Sequence, residues 1–334
     1  MIFMKLGKQI LYLSDKDVRR CIGPKESVKL VEESIRELGL GRAVEEKFYL
    51  PVSKHEGFVK TMSCYYERMD LHMTKVFSLF TGNTKYRLQT VNTFITLTDG
   101  RTGVPIAMMN SDWITALKTA GATAAAAHHL AKPSSTVVGI VGAGVQGRSH
   151  LLSLAQIFKI KEARVADAYP KARERYVREM SELCDFDIRA VNSVEEAVRG
   201  VDICAVVTTA DEPLIKAEWI EPGLFITKAG SFRELDPIVI TAVDKVVVDS
   251  WKYTVEYRRV KELTELADAG TITKETIFGE LPDILANKKS GRTTDQEKIL
   301  FVSIGFGVDN AALAGYVYRN AVKRGIGKVL SLIG

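Results

Sequence analysis

The sequence predicts an α/β chain in two domains: a doubly wound parallel sheet, preceded by an α+β domain that the C-terminal helix completes. Three observations carry this. Residues Thr136 to Leu154, TVVGIVGAGVQGRSHLLSL, read as a buried strand, a glycine turn and a helix start. Strand-like and helix-like runs alternate from there to Val248, the pattern of parallel βαβ units. The residues before the alanine-rich stretch instead hold several strand-like runs, one pair joined by a hairpin turn.

Taken in order, Ser14 and Asp17 open a first helix, and after Gly23-Pro24 a second runs to about Leu38, with Val28, Val31, Ile35 and Leu38 on one face. Runs around Phe48–Leu50, Phe58–Tyr65, Met73–Phe80, Val91–Leu97 and Val104–Met109 read as strands, and Thr98-Asp99-Gly100 as a hairpin turn. Trp113–Lys132 is an alanine-rich helix closed by Pro133, so the first domain is expected over 1–132 and the second over 133–305. In the second, strands are expected at Val137–Val141, Ala163–Ala166, Ile203–Val207, Leu224–Thr227 and Lys245–Val248, and helices near Lys171–Leu183 and Val194–Arg199. The sheet then reads as complete. The remaining segment, 306–334, holds a helix from Val308 to Lys323 ended by Gly325, which is expected to return to the first domain.

Gly142, Gly144 and Gly147 form G-x-G-x-x-G, with Val145 and Gln146 between the last two. The first glycine permits the tight turn, the second lets backbone amides approach a pyrophosphate, and the third brings helix and strand together. Asp167 ends the next strand, about 20 residues on, where a carboxylate accepts from the ribose hydroxyls of NAD and repels a 2′-phosphate. The domain is therefore expected to be Rossmann-type and to bind NAD in preference to NADP. Lys171 and Arg173 follow closely, but read as the solvated first turn of a helix. Ligands of open parallel sheets bind at the carboxyl ends of strands, so Thr208, Thr209 and Ala210, and Gly230 and Ser231, are expected to face the cofactor, with the substrate between them and the first domain.

Composition narrows the function classes. A formal net charge of +5 over 334 residues is slight, and the lysines are scattered, which argues against a nucleic-acid or membrane surface. The four cysteines, Cys21, Cys64, Cys184 and Cys204, lack C-x-x-C spacing and read as reduced thiols in a cytoplasmic protein. No apolar run approaches the roughly 18 residues of a membrane span, and Lys5 and Lys8 interrupt the apolar start where a signal peptide would need a core.

A wider pattern resembles the ornithine cyclodeaminase and mu-crystallin family. It comprises Lys75 in a strand, Gly82-Asn83-Thr84, Thr90, Thr102-Gly103-Val104-Pro105, the Ile114–Ala120 helix segment, VGAGVQGRSHL, Glu234-Leu235-Asp236, Val247-Val248-Asp249, Gly291-Arg292 and Gly305–Asp309. The resemblance implies a nicotinamide cofactor and a homodimer built through the first domain. It also implies hydride transfer between the α-carbon of a small amino acid, or its cyclic or acyclic imine, and that cofactor. Lys75 matches the family's active-site lysine, as carboxylate ligand and acid or base. Lys47 and Lys118 fall where the family carries arginines that bind the substrate, exchanging a planar fork for a point charge. Thr90 matches a threonine near the substrate.

One departure is marked. Where relatives carry a loop aspartate for proton transfer, this chain reads Lys228 to Asp236, KAGSFRELD, with no aspartate before Glu234. Glu234 and Asp236 read as structural, and Lys228 or Ser231 are candidates for the lost group. The leading expectation is an NAD-dependent amino-acid dehydrogenase or imine reductase. The alternatives are ornithine cyclodeaminase proper, releasing ammonia with NAD recycled, and a non-catalytic protein that binds cofactor and ligand. His128 and His129 are adjacent on a helix, expected on different faces, and form no i,i+4 metal pair. No metal is expected. His150 is expected near the pyrophosphate, and Asp309 either caps the last helix or reaches the nicotinamide side.

Overall fold

A computed structural model describes residue 2 and residues 5–333, so the outermost ends of the expected segments 1–132 and 306–334 lie outside the described residues. In chain order the elements are β1 (Gln9–Leu13), α1 (Asp15–Cys21), α2 (Pro24–Gly39), β2 (Ala43–Val52), β3 (Gly57–Tyr66), β4 (Leu71–Phe80), β5 (Val91–Asp99), β6 (Pro105–Asn110) and α3 (Asp112–Leu130). There follow β7 (Val137–Val141), α4 (Val145–Leu154), β8 (Glu162–Ala166), α5 (Pro170–Ser181), β9 (Asp187–Ala190), α6 (Val194–Val198), β10 (Ile203–Val206) and β11 (Phe225–Ala229). The chain ends with α7 (Pro237–Ala242), β12 (Lys245–Val248), α8 (Lys261–Asp268), β13 (Gly279–Glu280), α9 (Leu281–Leu285), β14 (Ile299–Ser303), α10 (Val308–Arg324) and β15 (Lys328–Ser331). Two compact units result: Met1–Lys118 with Phe306–Gly334, and Thr119–Gly305.

The first unit is organised by a seven-stranded sheet in the order β15-β1-β6-β5-β4-β3-β2. From β2 to β6 it is an antiparallel meander, as the alternating runs and hairpin turn lead one to expect. β1 and the edge strand β15 are additions that the sequence pattern did not show. Ser14 caps α1 by a reciprocal capping box with Asp17. α10 groups with this unit and ends at Gly325, whose φ of +68° suits a residue without Cβ.

β2 inverts the usual pattern. Ala43, Glu45 and Lys47 turn inward, whereas Val44, Phe48 and Leu50 are each about two-thirds exposed (67%, 65% and 66%). A strand that buries its charges and exposes its apolar residues has a polar task inside and an apolar surface outside.

The second unit holds an eight-stranded, wholly parallel sheet in the order β13-β12-β14-β11-β10-β7-β8-β9. Its strands are almost entirely buried, as expected of a sheet covered on both faces. Three strands that the sequence pattern did not show complete the sheet before α10: β14 enters between β11 and β12, and β9 and β13 extend the two edges. The units divide inside α3, between Lys118 and Thr119, whereas the sequence reading divided the chain at 132/133. The later turns of α3, with Ala122 and Ala124–Ala127 buried, group with the second unit because their small side chains permit close packing. No helix among the described residues is long and apolar enough to cross a membrane.

Candidate active site

In the first unit, strand register places the two strand lysines. Lys47 pairs with Met62, Met62 with Lys75, Lys75 with Ile95, Ile95 with Met109 and Met109 with Leu13. Directly opposed residues share a face, so Lys47 and Lys75 lie in one transverse row, two strands and about 9.5 Å apart in backbone spacing. The rest of that row is apolar and buried. A charge there costs several kcal/mol unless it is paired, so the polar partners decide what the row can do.

α3 and α10 bring those partners. Lys75 Nζ donates to Thr115 Oγ1 at 2.6 Å and to Asn310 Oδ1 at 2.9 Å. Thr115 itself donates to the Ser111 carbonyl, so its oxygen lone pair is left for the lysine. Asn310 spends its amide on the Phe306 carbonyl and Asp309 Oδ1, which turns its oxygen toward Lys75. Lys118, one turn beyond Thr115, lies 3.9 Å from Asp309 Oδ2, an oxygen with no hydrogen-bond partner. Lys47 Nζ is 3.2 Å from Glu45 Oε1, and Glu45 Oε2 accepts from the amides of Gly307 and Val308 at the amino end of α10. That end carries positive partial charge, which suits a carboxylate.

The electrostatics follow from burial and charge count. Desolvation, then the neighbouring Lys118 charge, push the Lys75 ammonium down to about 7; the Asp309 and Asp112 carboxylates oppose this. Desolvation pushes the fully buried Asp309 carboxyl up, against the pull of Lys118. Three lysines, Lys47, Lys75 and Lys118, face three carboxylates, Glu45, Asp309 and Asp112. The central lysine, buried and with Lys118 beside it, is poised to exchange a proton near neutrality.

The second unit carries a cavity of about 620 Å³ at the carboxyl ends of β7, β8 and β10. Gly142, Gly144, Asp167, Thr208, Thr209 and Ala210 are among its lining residues. Gly142 has φ +113°, and a Cβ there would stand 2.7 Å from the Val207 carbonyl; Gly144 faces open space. Gly144 also precedes α4 with no side chain capping it, so the amides at the helix start are available to a pyrophosphate. Asp167 Oδ2 accepts from the Ala143 amide at 2.8 Å and Oδ1 from Tyr169 at 2.9 Å. The carboxylate therefore braces the glycine turn and lines the cavity together. These features fit a dinucleotide.

The other expected residues fall elsewhere. Gly147 is a packing glycine, since its Cβ would meet the Gly142 carbonyl at 2.1 Å. Val145, Gln146, Gly230 and Ser231 are not among the residues lining this cavity, and the Gly230 amide donates to the Ser303 carbonyl. Thr90 lies just before β5, its carbonyl paired with the Phe80 amide, five strand positions or about 16 Å from the level of Lys75. The threonines near Lys75 are Thr115 and, two positions from its partner Ile95, the buried Thr93, which donates to Asp112. Lys228 is fully buried and engaged with Glu262 and the Gly230 carbonyl, so it does not stand in for the lost loop aspartate. His150 is locked on the Gln146 carbonyl, and burial pushes it down to about 4. The rings of His128 and His129 lie 5.1 Å apart, which corrects the expectation of separate faces. Asp309, Asn310, Glu45 and Thr115 are what sequence reasoning missed or left undecided. The signal available was the pair of inward charges at Glu45 and Lys47 in an otherwise apolar alternation.

Comparisons with known proteins identify the chain's relatives. The alanine dehydrogenase of Archaeoglobus fulgidus is 31% identical over 325 residues, covering 96% of this chain and 97% of its own. The ketimine reductase mu-crystallin of Mus musculus is 31% identical over 273 residues, 80% of this chain and 82% of its own. The structure of Thermococcus litoralis Δ1-pyrroline-2-carboxylate reductase with NADH and L-proline superposes with a TM-score of 0.90 at 35% identity, covering 96% of this chain and 99% of that one. Residues 9–325 match the pattern of a single family, and the chain belongs to it: the ornithine cyclodeaminase/mu-crystallin family.

Proposed function

We propose that this chain is an NAD-dependent oxidoreductase that interconverts a small α-amino acid and its cyclic or acyclic imine. The observation that carries the reading is Lys75: a buried amine held by two acceptors, Thr115 and Asn310, with Lys47, Lys118 and the amino end of α10 around it. A neutral amine has two hydrogens for those acceptors and keeps a lone pair, so it takes a proton as base and returns it as acid. Lys47 and Lys118 serve as point-charge partners of the substrate carboxylate in place of arginine forks. The nicotinamide, when bound, supplies the acceptor or donor of the hydride. Gly142, Gly144, Asp167 and Thr208–Ala210 hold the dinucleotide, and Asp167 favours NAD over NADP. Relatives whose names specify alanine, ketimines and Δ1-pyrroline-2-carboxylate support a small substrate with one carboxylate.

The chain works as a homodimer in the cytoplasm on this reading. The exposed Val44, Phe48 and Leu50 on the outer side of β2 support the first part, since a row of apolar residues on an edge strand is usually covered. Four unpaired cysteines support the second.

The deciding experiment supplies NADH with Δ1-pyrroline-2-carboxylate, Δ1-piperideine-2-carboxylate, and pyruvate plus ammonia, then NAD with proline, alanine, ornithine and lysine, while ammonia and NADH absorbance are followed together. Stoichiometric NADH change with any imine or amino acid is the expected result. Ammonia from ornithine or lysine with no lasting NADH would mark cyclodeaminase turnover instead, and binding without any exchange of the α-hydrogen would mark a non-catalytic protein.

A further inference from the structure

Beneath the carboxyl ends of β10 and β11 lies a buried ionic group that the proposed reaction does not use. Lys228 of β11, Glu234 in the loop after it and Glu262 of α8 have no solvent exposure. Glu234 Oε1 accepts from both the amide and the hydroxyl of Thr208, each at 2.7 Å. Thr208 Oγ1 accepts in turn from the Ala210 amide at 3.1 Å. Glu234 is itself held: Glu262 Oε1 accepts from the amides of Glu234 and Leu235 at 3.1 and 3.3 Å, and Lys228 Nζ stands 3.4 Å from that oxygen. The path Glu262, Glu234, Thr208, Ala210 therefore ends on the loop that lines the 620 Å³ cavity. That loop abuts the glycine turn, because a Cβ on Gly142 would stand 3.2 Å from Thr208 Cγ2.

The chemistry of the group is unusual for a merely structural brace. Two carboxylates share one lysine, and the second oxygens, Glu234 Oε2 and Glu262 Oε2, have no hydrogen-bond partner. A buried carboxyl left half-satisfied is costly, and a loop could be tied down by a neutral side chain at less expense. Desolvation, with Glu262 adding to it, pushes Glu234 up to about 7 against the pull of the Thr208 hydrogen bonds and Lys228. A glutamine, which mimics the protonated carboxyl, should therefore replace it.

We propose that Glu234 is a positioning residue for the cofactor: through its two hydrogen bonds to Thr208 it holds the Thr208–Ala210 loop in the conformation that binds the dinucleotide, and so sets cofactor affinity. The inference rests on the dinucleotide reading above. In the absence of Glu234 the Thr208 amide and hydroxyl lose their acceptor, and the loop is free to leave the cavity wall.

The test is NADH titration of the full chain, by nucleotide fluorescence and calorimetry, for the unaltered protein, E234Q, E234A, T208V and the E234A/T208V pair. E234A should weaken NADH binding by about tenfold or more, with the loss in turnover falling on the KM for NADH, and E234Q should recover to within about threefold of the unaltered protein. Combining T208V with E234A should add little to E234A alone, since both break the same contact. Should E234A not fold, T208V decides, since it removes one of the two hydrogen bonds to Glu234: an NADH affinity lowered by about threefold or more supports the role, and one equal to that of the unaltered protein overturns it. A folded E234A that binds NADH as the unaltered protein does, or an E234Q as weak as E234A, overturns it as well. If the unaltered chain binds no NADH at all, the dinucleotide reading itself has failed, a result that none of the variant outcomes can imitate.

Discussion

Lys75 and Lys228 are both buried strand lysines, one in each compact unit, and their nearest charges differ. Around Lys75, three lysines meet three carboxylates, Glu45, Asp309 and Asp112. Around Lys228, one lysine meets two carboxylates, Glu234 and Glu262. Burial penalises charge in both: the Lys75 ammonium, with Lys118 beside it, goes down to about 7, and the Glu234 carboxyl, with Glu262 beside it, goes up to about 7. The lesson is that, in a buried ion cluster, desolvation and a like-charged neighbour together make a proton-exchanging group. One such cluster suits an incoming carboxylate, and the other suits the bracing of a loop.

The largest expected effect tests the Lys75 side of the comparison. K75M should lower kcat/KM by about a thousandfold, as loss of a general acid–base group does, while NADH affinity stays close to that of the unaltered protein. A turnover loss below tenfold, measured by steady-state kinetics on the best substrate found, would break the assignment. D309N comes next. The Asp309 carboxylate holds the Lys75 ammonium up, so its removal should move the limb of the pH–kcat/KM profile for amino-acid oxidation, centred near 7, toward lower pH. A loss of about tenfold to a hundredfold in rate should accompany it. An unmoved limb would show that Lys75 does not sense Asp309.

The pH dependence of stability sharpens the contrast further. Glu234 ionises at about 7 in the folded chain against 4.5 when free, so the folded state binds more protons between those values and stability falls as pH rises across that window. Lys75 ionises at about 7 folded against 10.5 free, so the unfolded state binds more protons above pH 7 and stability rises with pH from there. Each slope is at most about 1.4 kcal/mol per pH unit. Urea unfolding across pH should show E234Q flattening the acid window alone and K75M the alkaline window alone. The smallest effect concerns the glycine turn. D167N removes the charge and, with one oxygen in place of two, gives up one of the bonds accepted from the Ala143 and Tyr169 amides; it should weaken NAD by about threefold to tenfold while narrowing the preference over NADP, as read by paired titrations.

Much of this was legible in the sequence. G-x-G-x-x-G with Asp167 at its offset identified the cavity wall, because turn geometry and helix-end chemistry are local and tied to residue type. Lys75 was legible because a lysine amid Met73, Val76 and Phe77 contradicts its surroundings. Thr93 was not, because strand pairing shifts the effective neighbour of Lys75 to Ile95, and only register shows that Thr90 lies at the far end of the hairpin. β14 escaped for a similar reason: its run, Ile299 to Ser303, is short and follows a charged loop, and nothing local says that it inserts between two earlier strands.

The sequence by itself determined the periodicities, the caps, the glycine turn and the residue types available for chemistry, since each depends on a few neighbouring residues. Only the tertiary structure decided that Asp309 and Asn310, over two hundred residues away along the chain, would complete the setting of Lys75, and that Lys228 would be spent on Glu262. The reason is physical: the energy of a buried charge is set by the sum of groups within a few ångströms, and that sum exists only once the chain has folded.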